Sequence, residues 1–106
     1  MTPTESQLRQ DLRAVRALFS GPEKWTQNDF ARAADGVPVN PLHEAACQWC
    51  LAGAFQTLRD NYRIRECRDV IWALLPDEAL VSWNDDPART FGDVIRLLDR
   101  AIEEAP

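Results

Sequence analysis

The residues with the most chemistry within reach are one histidine and three cysteines. His43, Cys47 and Cys50 stand at i, i+4 and i+7, the spacing of one helical face. Imidazole and thiolate both ligate zinc, and Cys67, from a following helix, would complete a tetrahedral set of one nitrogen and three sulfurs. A zinc-binding Cys-x-x-Cys normally sits on a turn, however, whereas this one falls inside an expected helix. Cysteine is also among the most buried residue types. The expectation is that the thiols pack, with no cofactor and no metal; His43, Cys47, Cys50 and Cys67 remain the metal-binding alternative. A redox role for Cys47-Gln48-Trp49-Cys50 has less support. Such a pair needs its first cysteine at a helix N-terminus, where the dipole lowers the thiol pKa. Asn40-Pro41 would open this helix nearly two turns earlier.

Acids, arginines and tryptophans supply the other candidates. Asp85 and Asp86, beside Asn84, could act as an acid pair or a cation site. The simpler reading of Asn84-Asp85-Asp86-Pro87 is a turn leading into a helix cap at Thr90. No serine lies in a nucleophile-elbow setting, and there is no glycine-rich phosphate loop. Arg59, Arg63, Arg65 and Arg68 could receive a carboxylate or phosphate, but acidic neighbours such as Asp60, Glu66 and Asp69 make internal pairing the preferred reading. Trp49 and Trp72 read as core residues in mid-helix. Trp25 and Trp83, at loop ends, read as interface anchors or as covers for the end of a small core.

The elements that must position these residues follow from periodicity. Leu8, Leu12, Val15 and Phe19 define a first helix over 5–19, with Thr4 and Gln7 at capping-box spacing and Ser20-Gly21-Pro22 as its stop. Asp35-Gly36 predicts a tight turn joining residues 30–33 to 37–39 in a small hairpin, with a short helix over 28–34 as the alternative. Asn40 as N-cap and Pro41 at the first helical position predict a second helix running to about Asp60. Gly53 inside it implies close approach of another backbone. Ile64, Cys67, Ile71, Leu74 and Leu75 give a third helix over 62–75, closed by Pro76. Leu80, Val81 and Trp83 form a short element of open type. Thr90 and Asp93 cap a last helix with Val94, Leu98, Ala101 and Ile102 on its inner face. Glu103 and Glu104, at the wrong end for the helix dipole, predict fraying there.

The fold class expected is therefore α+β and predominantly helical, with about four helices and one small hairpin in a single domain over 1–106. A chain of 106 residues is long enough to bury one core without staples. Net charge is -5, which argues against direct binding to nucleic acid. The acidity is segregated: residues 76–106 hold eight Asp or Glu against three Arg. No apolar run approaches a membrane span. The first ten residues have neither the basic start nor the apolar run of a signal peptide, and three cysteines make no disulfide framework. A cytoplasmic protein with reduced thiols is expected.

Several segments then stand in order: Trp25-Thr26, Ala31-Arg32-Ala33-Ala34-Asp35-Gly36, Trp49-Cys50-Leu51-Ala52-Gly53-Ala54, Trp83-Asn84-Asp85 and Arg89-Thr90, followed by Val94 and Leu97-Leu98-Asp99-Arg100-Ala101-Ile102. This series resembles a family of small uncharacterised bacterial and phage proteins, classed as a domain of unknown function, over nearly the whole chain. The Trp-Cys-Leu-x-Gly-Ala and Trp-Asn-Asp…Arg-Thr runs are its more specific parts. The resemblance implies a soluble intracellular protein, often from a phage or mobile element, and brings no activity with it. Cys50 falls within the family motif and Cys47 and His43 outside it, which weakens a site built on all three.

No catalytic set converges, so the expected function is a non-enzymatic module that docks on a larger protein. One version is an inhibitor that occupies the basic groove of nucleic-acid-binding machinery. Its binding residues would be Asp77, Glu78, Asp85, Asp86 and Asp93, with Trp25 and Trp83 as competing apolar anchors. The alternatives are a small enzyme or metalloprotein using His43 with the cysteines, and a structural subunit that forms homo-oligomers.

Overall fold

Residues 5–75 and 79–106 are described by a computed structural model. The expected cap at Thr4, the stop at Pro76 and the candidate contacts Asp77 and Glu78 lie outside the described residues. The fold is α+β and predominantly helical. Its helices, among the described residues, are α1 (Gln7–Leu18), α2 (Leu51–Gln56), α3 (Asn61–Leu74), α4 (Leu80–Asp85) and α5 (Phe91–Glu104). Two short strands, β1 (Ala31–Arg32) and β2 (Gln48–Trp49), pair antiparallel with Ala31 opposite Trp49. No helix among the described residues is long and apolar enough to cross a membrane.

The three longest helices pack on one another. Leu12 and Val15 of α1 are buried with Ile64, Cys67 and Ile71 of α3 and Val94, Leu98 and Ala101 of α5. Each set recurs at three- and four-residue intervals, so each helix turns one stripe to the core. Ser6 caps α1, its Oγ accepting from the Arg9 N–H. Asp60 caps α3, accepting from the Tyr62 and Arg63 N–H groups. Thr90 and Asp93 form the expected capping box on α5. The fraying expected at Glu103 and Glu104 gives way to a cap from another helix: Arg9 of α1 donates to the Glu103 and Ala105 carbonyls, both at 3.1 Å. A cation thus meets the negative end of α5 although its own last turn supplies none.

Between α1 and α3 one expectation is extended and one is corrected. The Asp35-Gly36 turn forms, with Gly36 at φ +85 and the Ala33 N–H donating to the Val37 carbonyl at 2.9 Å. The expected hairpin forms as one bridge between Arg32 and Pro38, with the Val39 N–H donating to the Ala31 carbonyl at 3.0 Å, and β1 pairs in register on its other side with β2. Pro38 sits at the non-hydrogen-bonded position of that bridge, where its missing N–H costs the pairing nothing.

The second helix starts at Leu51, ten residues later than Asn40-Pro41 suggested. The Asn40 side chain accepts the Leu42 N–H at 2.8 Å, and His43 Nδ1 accepts the Ala45 N–H at 2.9 Å. These local bonds hold 40–46 as turns, and the Cys47 N–H joins the Arg32 carbonyl. Gly53 does mark a close approach: a Cβ there would overlap the Phe30 carbonyl oxygen.

Candidate functional site

The residues singled out for chemistry are dispersed. His43 is exposed in a turn, Cys47 precedes β2, Cys50 is the N-cap of α2 and Cys67 is buried in α3. They do not share a helical face, because no helix runs through 40–50. Among the described residues no group of three or more His, Cys, Asp or Glu is placed to hold a metal ion. The reading of His43, Cys47, Cys50 and Cys67 as one ligand set is therefore withdrawn. The three cysteines are free thiols. Cys50 Sγ accepts the Gly53 N–H at 3.3 Å, and burial raises its pKa. Burial also pushes the Cys67 thiol up to about 12, with Asp11 and Glu66 adding repulsion. Neutral thiols held in this way are poor nucleophiles and poor ligands.

What converges instead is the set of segments built around tryptophan. Asn84, fully buried in α4, joins three of them. Its Oδ1 accepts from Trp25 Nε1 at 2.8 Å and from the Leu51 N–H at 3.1 Å. Its Nδ2 donates to the Thr26 carbonyl at 3.2 Å and to Asp85 Oδ1 at 2.9 Å. The same Asp85 oxygen accepts the Asn28 N–H at 2.9 Å, fixing Asn28 at its positive φ of 71. Gln27 donates to the Asn84 and Asp86 carbonyls, closing the end of α4. Arg89 folds back to the Trp83 carbonyl at 2.8 Å, with its guanidinium 4.0 Å from the centre of the Trp83 ring. Asn84 and Asp85 are thus the last residues of a helix, not members of a free turn. Their short polar side chains, which suggest a turn, are spent on binding the loop after α1 and the start of α2.

The residues expected to bind a partner are placed as follows. Trp83 is buried and Trp25 half-buried with its indole nitrogen bonded, so neither stands out as an exposed anchor. Asp86 accepts the Ala88 N–H and pairs with Arg89. Asp93 bonds the Thr90 N–H and Arg96, both of which hold its carboxyl below the usual range. Asp99 pairs with Arg16. Of the arginine cluster, Arg63 reaches Asp11, a carboxylate only 3% exposed inside α1, and both its Nε and Nη2 donate to it. That pair escaped notice in the sequence, although an acid between Leu8 and Leu12 on the apolar stripe was its signal. The Trp72 reading is corrected as well. It faces solvent at 65% exposure, because Ile71 takes the inner face and Trp72 lies a hundred degrees around from it.

The surface beside this junction is apolar. Phe30 (56% exposed), Leu42 and Val81 line one open groove with Pro41, Gln56 and Arg68. A second groove adjoins it, with Phe30, Pro41 and Val81 as shared walls and Asn28, Cys50 and Asp85 beyond. The carbonyl that blocks a side chain at Gly53 belongs to Phe30, so the backbone under this surface is pinned to α2.

Comparison with curated proteins and with solved structures finds no match. A family model does match, over residues 3–104. With nearly the whole chain covered, the protein belongs to a family of unknown function, DUF6197.

Proposed function

We propose that this protein is a non-enzymatic interaction module that docks on a larger protein through the groove surface formed by Phe30, Leu42 and Val81. The observation that carries this reading is three large apolar side chains, left exposed on the walls of adjoining grooves and set on a backbone fastened to α2 and α4. Contiguous exposed apolar surface of this kind marks interaction sites, and pockets between rigid elements accept apolar anchors from a partner. Arg68, at the groove rim, adds a cation for a carboxylate next to that anchor. A cytoplasmic setting fits the free thiols.

The charge-led version, in which the acidic last third enters a basic groove and blocks nucleic-acid-binding machinery, keeps the net charge of -5 as its support. It loses part of its free charge, because Asp86, Asp93 and Asp99 pair with the chain's own arginines. Site-specific photo-crosslinking in the native host separates the versions. A crosslinker replacing Phe30 or Val81 should capture one protein species, while the same group at Asp99 or Glu104 captures none. Capture only from the acidic positions would reverse the assignment. Capture from neither would remove the docking function.

A further inference from the structure

The outer face of α3 is bare, and its side chains form an ordered series. Tyr62, Arg65, Asp69 and Trp72 recur at intervals of three, four and three residues, which sets them in one stripe along the helix. Tyr62 and Trp72 are the most exposed of the large hydrophobics, at 70% and 65%. Arg65 and Asp69 between them are exposed, and neither makes an ion pair or side-chain hydrogen bond among the described residues. An aromatic, a cation, an anion and an aromatic, at the spacing of a coiled-coil seam, thus have no partner within the described chain.

The order of these four residues is self-complementary. When a second α3 is laid antiparallel, one register places Tyr62 against the other copy's Trp72 and Arg65 against its Asp69. Two-fold symmetry repeats both contacts. The two ion pairs then lie at the centre with an aromatic pair at each end. A parallel arrangement would instead oppose Arg65 to Arg65 and Asp69 to Asp69, and like charges across a seam are strongly unfavourable. Beside Trp72, a groove lined by Arg68, Asp69, Ile71, Leu75 and Leu80 offers an apolar recess for the incoming tyrosine ring. We propose that the protein forms a reversible, two-fold symmetric homodimer through antiparallel pairing of its α3 helices. The seam between Tyr62 and Trp72 spans about 15 Å of helix, a short contact that makes a weak, concentration-dependent dimer. This surface adjoins the Phe30, Leu42 and Val81 grooves at Arg68, which lines both, but its pairing does not depend on their function.

Sedimentation equilibrium of the full chain, from about 1 μM to about 1 mM, tests the pairing. A monomer–dimer equilibrium is expected. Arg65→Asp or Asp69→Arg alone brings like charges together twice per dimer and should weaken association at least about tenfold. Combining Arg65→Asp with Asp69→Arg re-forms both ion pairs with their signs exchanged and should restore association to within about threefold. All three variants change exposed side chains, and circular dichroism melts should match the parent. A parent chain that stays monomeric throughout would overturn the proposal. So would a dimer indifferent to single reversal, or a folded double variant that fails to recover.

Discussion

Asn84 shows how a single amide can hold three segments together. Its carbonyl oxygen accepts two bonds and its amino group donates two, which exhausts what an asparagine side chain offers. Removing it strands the Leu51 N–H and the Thr26 carbonyl in buried surroundings. Asn84→Ala should therefore cost at least about 2 kcal/mol in a denaturant melt. Asn84→Asp, nearly identical in shape, should be no better, because it loses both donated bonds and sets a second carboxylate beside Asp85. A loss below about 1 kcal/mol in both variants would mean the junction holds without the amide. Asp11 gives a pH-dependent counterpart. The hydrogen bonds from Arg63 hold its carboxyl below the value it has in an unfolded chain, against the opposing effect of burial. The stabilisation it brings is therefore complete above about pH 5 and is lost as pH falls through the folded-state pKa. Acid titration of Asp11→Asn should show a lower plateau at neutral pH and a shallower decline below about pH 4 than the parent.

At the scale of elements, α2 owes its position to its neighbours more than to its own sequence. It has six residues, too few to persist alone. It begins where β2 ends, and its first N–H groups go to Asn84 and Cys50. Gly53→Ala tests that dependence. Alanine is the better helix former by about 1 kcal/mol, so an isolated helix would gain from the change. In this fold the new methyl group meets the Phe30 carbonyl, and overpacking against backbone should turn the gain into a net loss of about 1–3 kcal/mol. A thermal melt that rises instead would show that β1 can move away from α2. The contrast with α1, α3 and α5 explains what periodicity reveals. Those helices are long enough for their apolar stripes to be read directly, and the Thr90–Asp93 box is local in sequence. The start of α2 is not local: Asn40-Pro41 carries a genuine helix-start pattern, and only the pairing of Gln48 and Trp49 with Ala31 and Arg32 shows that the pattern is spent on a turn. The Asn84 junction was hidden for the same reason, since its partners at Thr26 and Leu51 lie 58 and 33 positions away. For Trp72 residue type and helical phase disagree: a tryptophan suggests core, while its position a hundred degrees from buried Ile71 points it outward.

At the scale of the molecule, charge and apolar surface are distributed differently from what composition implies. The acidic last third is stitched to α1 through Asp99 and to its own arginines through Asp86 and Asp93, so much of its charge works inside the fold. The exposed aromatic and aliphatic side chains lie elsewhere, at Phe30, Leu42 and Val81 and along the outer face of α3. These are the surfaces with unspent binding capacity. Charge reversal at Asp86 or Asp93 should accordingly lower stability modestly, by removing a pair or part of a cap. A denaturant melt unchanged by both reversals would return those carboxylates to the solvent-facing charge available for steering.

The outward placement of Trp72 has an optical consequence. Trp83 is enclosed, and Trp25 and Trp49 are half-covered with their indole nitrogens bonded to Asn84 and to the Pro41 carbonyl. Trp72 alone among the four is largely bathed in water. An indole emits at shorter wavelength as water leaves it, and a dissolved quencher reaches only rings that solvent can reach. The protein therefore carries a native fluorophore on the outer face of α3, with three sheltered indoles as an internal reference. Covering that face should shift the red edge of the emission to shorter wavelength and suppress iodide quenching, whereas unfolding should move the three sheltered rings toward the red and leave Trp72 nearly where it was.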